Sequence, residues 1–451
     1  MSLTPATAWL PYEPSAERPW NNRLAAHLFR RAGFAASRAE IAAAVQDGPQ
    51  VAVKKLLAAE ADHPRFEGEM QAFAKTLLAG NNPQALSAWW LYRMLHTPAP
   101  LLEKMTLFWH GHFATSAAKV TDAQLMYNQN ILLRKHALGS FEELVQGISR
   151  DPAMLIYLDS ITNKKTHPNE NYAREVMELF CLGLGNYTEK DIQELARCFT
   201  GWEIQRNQFK FNRFQHDFGT KQVLGKSGDF NGEDGVKVLL AQPAAPQFIC
   251  AKLVRFFVTD DAELTPELIA PLAKQFRERD LQLAPVLETL LTSRYFYSDE
   301  ALGKKIRSPV ELGVGLLRAL SATASTQRLS GELGELGQML FFPPNVKGWD
   351  GGLAWINSAT LLGRANLVKH LIEDNNAKFA GGTLVALVEK QGWKSSADVV
   401  DGLVELLLAA ELSPDVRNQL IAILDAGQKN RQIALRQVIH TLGAMPEFQL
   451  S

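Results

Sequence analysis

A chain of 451 residues, 46% hydrophobic and 21% charged, is long enough for one large domain or two ordinary ones and has the balance of a soluble globular protein. Its net charge of −1, with acids and bases interspersed, argues against nucleic acid or an anionic membrane as the main partner, since neither would meet a dominant positive field. No window approaches roughly 18 uninterrupted apolar residues, which excludes an ordinary membrane span, and no basic start with a following apolar run marks a secretory leader, so the chain reads as cytoplasmic.

The dominant period is helical. "WNNRLAAHLFRRAGF" reads as a helix closed by Gly33, and Ser37 with Glu40 forms a capping box for "RAEIAAAVQDG", which stops at Gly48. "PQALSAWWLYRMLHT" and "PLLEKMTLFWHG" carry proline at their starts, where its missing N–H costs nothing. Ser140 and Glu143 form a second capping box, and Asp151 with Pro152 begins another helix. From 169 to 202 two helices are joined by "GLGNYT", with Thr188 as N-cap, Asp191 placed to answer it, and Gly201 at the end.

The pattern changes at 203–225, where Phe209 and Phe211 alternate with polar neighbours as in a half-buried strand, so a small hairpin-like excursion is expected. Helices resume near 233, interrupted by "FFPPNVKGWDGG" at 341–352, whose two prolines and three glycines require a long structured loop. The expectation is a mainly α fold, a single large helical domain over 1–451, with a subdivision into 1–300 and 301–451 as the alternative. Cys181, Cys198 and Cys250 are an odd set without CxxC spacing and read as buried free thiols.

Two stretches carry candidate chemistry. In "NENYAREVMELF" (169–180), a regular helix places Glu170, Asn171, Arg174, Glu175 and Glu178 within an arc of about 140°. That arc is either a solvated face of i,i+4 ion pairs or the wall of a cleft, where carboxylates beside a guanidinium hold a cation or supply an acid and a base. In "FWHGHF" (108–113), a continued helix would set His110 and His112 about 200° apart. A break at Gly111, a poor helix former, would let both point one way. The break is expected, with Phe108, Trp109 and Phe113 buried around it. At least one imidazole is expected to contact the 170–178 helix, which offers the richest acceptors. His167 with Glu170, and His216 with Asp217, lie beside predicted turns. No HExxH, GxSxG, phosphate loop or paired Glu-x-x-His is visible.

The blocks "KMTLFWHGHF" (104–113), "NENYAREVMELFCLGLGNYTEKDIQELARCFTGW" (169–202), "HDFGTKQVLG" (216–225) and "FFPPNVKGWDGGLAWINS" (341–358) resemble a large bacterial family catalogued as domain of unknown function 1800. The resemblance runs from "HLFRRAGF" at 27–34 to "RANL" at 364–367. No activity follows from it. Members commonly carry an export leader and their genes often neighbour those of sulfatase-like proteins, which implies work at the cell envelope.

Three readings follow. In an enzyme, Glu170, Arg174 and Glu178 are the catalytic candidates, and His110, His112 and Glu175 the ligands of a divalent metal. His216, Asp217 and Trp349 then contact the substrate, and hydrolysis is favoured over redox chemistry because no redox-cofactor motif is visible. In the alternative, the chain is a non-catalytic helical binding or assembly partner of a sulfatase-like protein. In the third, the 341–358 loop is a platform for an envelope glycan, with Trp349, Trp355, Asp350 and Asn357 in contact and Trp90 and Trp109 extending it; its competitor is a packed loop anchored by its tryptophans.

Overall fold

The computed structural model describes residues 3–58, 63–260 and 264–451. It is 62% helical, and the sheets found among the described residues are three two-stranded antiparallel pairs, so the mainly α expectation holds. One cluster of buried apolar side chains runs from Ala8 to Phe448.

Local chemistry sets many of the helix ends. Ser37 and Glu40 form the reciprocal capping box, as do Thr188 and Asp191. Ser140 accepts from the Glu143 amide, but the Glu143 carboxylate turns to His136, so only half of that box forms. Helix α1 (Asn22–Gly33) ends differently from expectation, because Phe34 and not Gly33 takes the positive φ. Gly33 serves packing instead: a Cβ there would sit 2.8 Å from the Pro100 side chain.

Pro83 and Pro100 start α2 (Pro83–His96) and α3 (Pro100–His112), followed by α4 (Ala123–His136). The 169–180 segment is less regular than its sequence implies. It forms α5 over Asn171–Glu175 and continues as a π-helical turn over Val176–Cys181, so an even 100° spacing does not describe its polar arc.

The excursion comprises two hairpins and extends three residues further than expected. β1 (Trp202–Gln205) pairs with β2 (Gln208–Phe211) through a turn in which Arg206 and Asn207 both have positive φ, the type I′ geometry. β3 (Lys221–Val223) pairs with β4 (Lys226–Gly228). Two later helices matter for the site: α6 (Ala244–Phe257) and α7 (Pro309–Ala319).

Helix α3 lies at the centre, packed against α1 and α4, and every residue of it except Gly111 is buried. Its Glu103 is fully buried and accepts from Trp90 Nε1 at 2.8 Å, from Arg134 Nε and Nη2 at 2.8 and 3.0 Å, and from Arg93 Nε. Burial alone would raise its pKa, but Arg134 and Arg93 outweigh that and hold it down to about 2. Cutting Glu103→Ala leaves the buried Arg134 without its counter-ion and Arg93 with Glu67 alone, which should cost about 3–5 kcal/mol. Urea denaturation followed by far-UV circular dichroism measures this; an unchanged midpoint would show that the network does not hold α2, α3 and α4 together.

Candidate functional site

The expected break at Gly111 does not occur. Helix α3 runs through Gly111 to His112, so both histidines belong to one continuous helix and face different neighbours. Glycine's cost of about 1 kcal/mol in a helix interior is small beside the packing of a helix buried on all sides. Phe108, Trp109 and Phe113 are buried as expected. The 341–352 loop packs onto the backbone of this turn: Gly348, at φ +80°, lies so close that a Cβ on it would stand 2.2 Å from the Gly111 carbonyl oxygen.

His110 turns toward that loop. Its Nε2 accepts the Phe341 amide at 3.0 Å, and its ring lies against Trp90, Phe341 and Trp349. Burial lowers its pKa to about 3, so it is neutral. His112 turns toward the end of the π-helical turn. Its Nε2 lies 3.0 Å from the Phe180 carbonyl, which can only accept, so Nε2 carries the proton and Nδ1 presents a lone pair. Lys252 of α6 donates to that Nδ1 at 3.1 Å and to the Leu179 carbonyl at 3.0 Å, with its amine 4.8 Å from the Phe248 ring centre. Burial, then the Lys252 charge, pushes His112 well below the usual imidazole range. Burial, then Arg255, lowers Lys252 to about 8.

His112 and Lys252 both line a cavity of about 430 Å³. Its apolar wall includes Phe108, Phe256, Trp349 and Trp355. Of its acids, Asp260 is bound to Lys305 and the Ile306 amide, and Glu311 to Lys104 and the Ser308 amide. Lys252, Arg255 and Lys347 add positive charge around the space.

Residues 27–450, nearly the entire chain, match the family model described as protein of unknown function DUF1800. The chain belongs to that family. No curated protein and no protein of solved structure matches it.

In this DUF1800 chain the predicted site residues fall into separate groups. Glu170 and Glu189 bind Arg174 in a half-exposed ion-pair set, while Glu178 accepts from the Tyr187 hydroxyl at 2.8 Å. Glu175 is half-buried, and burial, then the Glu178 charge, raises its pKa. An imidazole does meet this helix, but through the Phe180 carbonyl rather than any of the predicted acceptors. His110, His112 and Glu175 do not form a ligand set. Among the described residues no three His, Cys, Asp or Glu side chains gather as a metal group, and each imidazole's lone pair already accepts a protein N–H.

His216 is buried, its Nδ1 2.8 Å from the Thr200 carbonyl, and Asp217 is paired to Arg197; neither lines the cavity. Trp90 and Trp109 are fully buried and cannot extend a glycan surface. Trp349 lies partly buried over Gly111 with its Nε1 donated to the Gly337 carbonyl, and Asn357 caps the helix Ser358–Glu373.

Lys252 escaped the sequence reading. The signal available was a lone lysine inside the apolar run "FICAKLV", but a run of that kind does not reveal which helix end it will meet.

Gly348→Ala tests the seat of the loop. Strain of about 1–3 kcal/mol at this backbone position, with the clash against Gly111, should loosen residues 341–352. Hydrogen exchange by mass spectrometry should speed up there by roughly tenfold or more while α3 stays protected; unchanged exchange would mean the contact is unimportant.

Proposed function

We propose that this chain is an enzyme that binds a small anion-bearing molecule in the cavity between α3, α6 and the 341–352 loop, with Lys252 as its reactive amine. The observation that carries this is the bonding of Lys252. A neutral amine has two N–H bonds, and those to His112 Nδ1 and the Leu179 carbonyl use both, which leaves the lone pair as the only unspent valence beside the cavity. With a pKa of about 8, a sizeable fraction of such an amine is neutral near neutral pH. Amines of this kind act as general bases or add to carbonyl carbon. The apolar wall suits the body of a small molecule, and Arg255 and Lys347 suit its anionic group.

Glu175, half-buried, feels the Lys347 charge but does not line the cavity, so the acid–base role rests on Lys252. Metal-assisted hydrolysis draws no support from the two histidines, whose lone pairs are taken, and no step is routed through a metal. The assembly-partner and glycan readings gain nothing from this cavity, since the tryptophans that would meet a sugar serve as anchors.

The sign of the pH effect follows from burial. Desolvation disfavours the ammonium, so Lys252 should lose its proton near pH 8 and gain reactivity as pH rises through that value, where an ordinary lysine does so near 10.5. Competitive amine labelling read by mass spectrometry measures this directly. In parallel, calorimetric titration with small carboxylates and with phosphate and sulfate monoesters should find a binder that protects Lys252 from labelling. That binder should be at least tenfold weaker in a folded Lys252→Met variant. Ordinary titration of Lys252, or a binder indifferent to its removal, would end this reading.

A further inference from the structure

The excursion at 203–225 plays no part in the cavity, yet it carries three of the more exposed aromatic rings of the chain. Phe214 is 77% exposed, Phe218 62% and Phe211 43%. Water is a poor solvent for three neighbouring rings, and such a patch marks a surface that meets something else.

Their arrangement is held firmly. His216 sits edge-on to both Phe211 and Phe218, with ring centres 5.3 and 4.8 Å away, and is itself tied to the Thr200 carbonyl. The Asn212 amide donates to the Gly201 carbonyl at 2.7 Å, which ties the start of the loop to the helix end before β1. The Lys165 amide donates to the Gln215 carbonyl at 2.8 Å, bringing Lys164 and Lys165 alongside Arg213 and Phe214. These three cations are exposed and form no ion pair among the described residues, whereas the adjacent Asp217 is neutralised by Arg197. The patch is therefore apolar and positive, although the chain as a whole carries a net charge of −1.

We propose that Phe211, Phe214 and Phe218, flanked by Lys164, Lys165 and Arg213, dock this protein onto a lipid surface that carries anionic headgroups. Charge complementarity selects the occupant. Cations beside protruding rings match a layer with negative headgroups above an apolar interior, where the rings enter the boundary and the cations stay at headgroup depth. Phe211 ends β2, and Phe214 and Phe218 stand on the loop between the two short hairpins. A deformable lipid surface accommodates that shape, whereas bases stacking on a protein use a groove that tracks the strand.

Co-sedimentation of the full chain with vesicles tests this. At about 0.1 M salt, where charges a Debye length of about 10 Å apart still interact, it should pellet with vesicles of phosphatidylcholine and phosphatidylserine and far less with phosphatidylcholine alone. Both Phe214→Ser with Phe218→Ser, and Lys164→Glu with Lys165→Glu and Arg213→Glu, should weaken pelleting at least tenfold. These side chains are solvent-exposed, and unchanged circular dichroism would confirm intact folding. No binding by the wild-type chain, or equal binding by the phenylalanine variant, overturns the proposal. So does tighter binding to polyuridylate than to the anionic vesicles, which would reassign the patch to single-stranded nucleic acid.

Discussion

Helix α3 is buried on every side and yet carries Glu103, Lys104, Thr106, His110 and His112. Each polar atom placed in that interior must find a partner or raise the free energy of the fold by a kilocalorie or more. The partners come from different elements. Glu103 takes Arg93 of α2 and Arg134 of α4, Lys104 takes Glu311 of α7, and Thr106 returns to its own helix at the Leu102 carbonyl. His110 takes the backbone of the 341–352 loop, and His112 takes α6 together with the end of the π-helical turn. The surroundings of α3 are in this sense specified by its polar residues, while its apolar residues supply the bulk of the packing.

The end of the π-helical turn after α5 illustrates how one such requirement shapes the site. A helix leaves its last carbonyls without intrahelical donors, and its dipole makes that end negative. Here the Leu179 and Phe180 carbonyls are met by an amine and an imidazole N–H. The same two side chains bond to each other and line the cavity. Capping therefore explains why a lysine and a neutral histidine stand together at the cavity wall. Any chemistry at that amine is a consequence of a structural demand already met there.

Net charge conceals local charge. Interspersed acids and bases bring the whole chain close to neutrality, but the fold pairs many of the acids with neighbouring arginines and lysines. Asp217 with Arg197, Glu189 with Arg174 and Asp159 with Lys119 are examples. Among the described residues Lys164, Lys165 and Arg213 form no ion pair, and they share one region with exposed rings.

The sequence by itself determined the helical class, several helix boundaries, the excursion and the structured loop at 341–352, because these depend on periodicity, capping and turn chemistry among residues a few positions apart. It also marked the family and the stretches around which the cavity forms. Only the tertiary structure decided the role of each polar residue. Gly111 stays helical because burial outweighs local propensity. The regular arc over 170–178 gives way to a π-helical turn, and its arginine and Glu178 find partners at Glu189 and Tyr187. Lys252 lies 140 positions from His112, and no local pattern reports a contact made at that distance. Which lone pair is left free depends on the donors that arrive from elsewhere in the chain, and those are placed by the packing of helices distant in sequence.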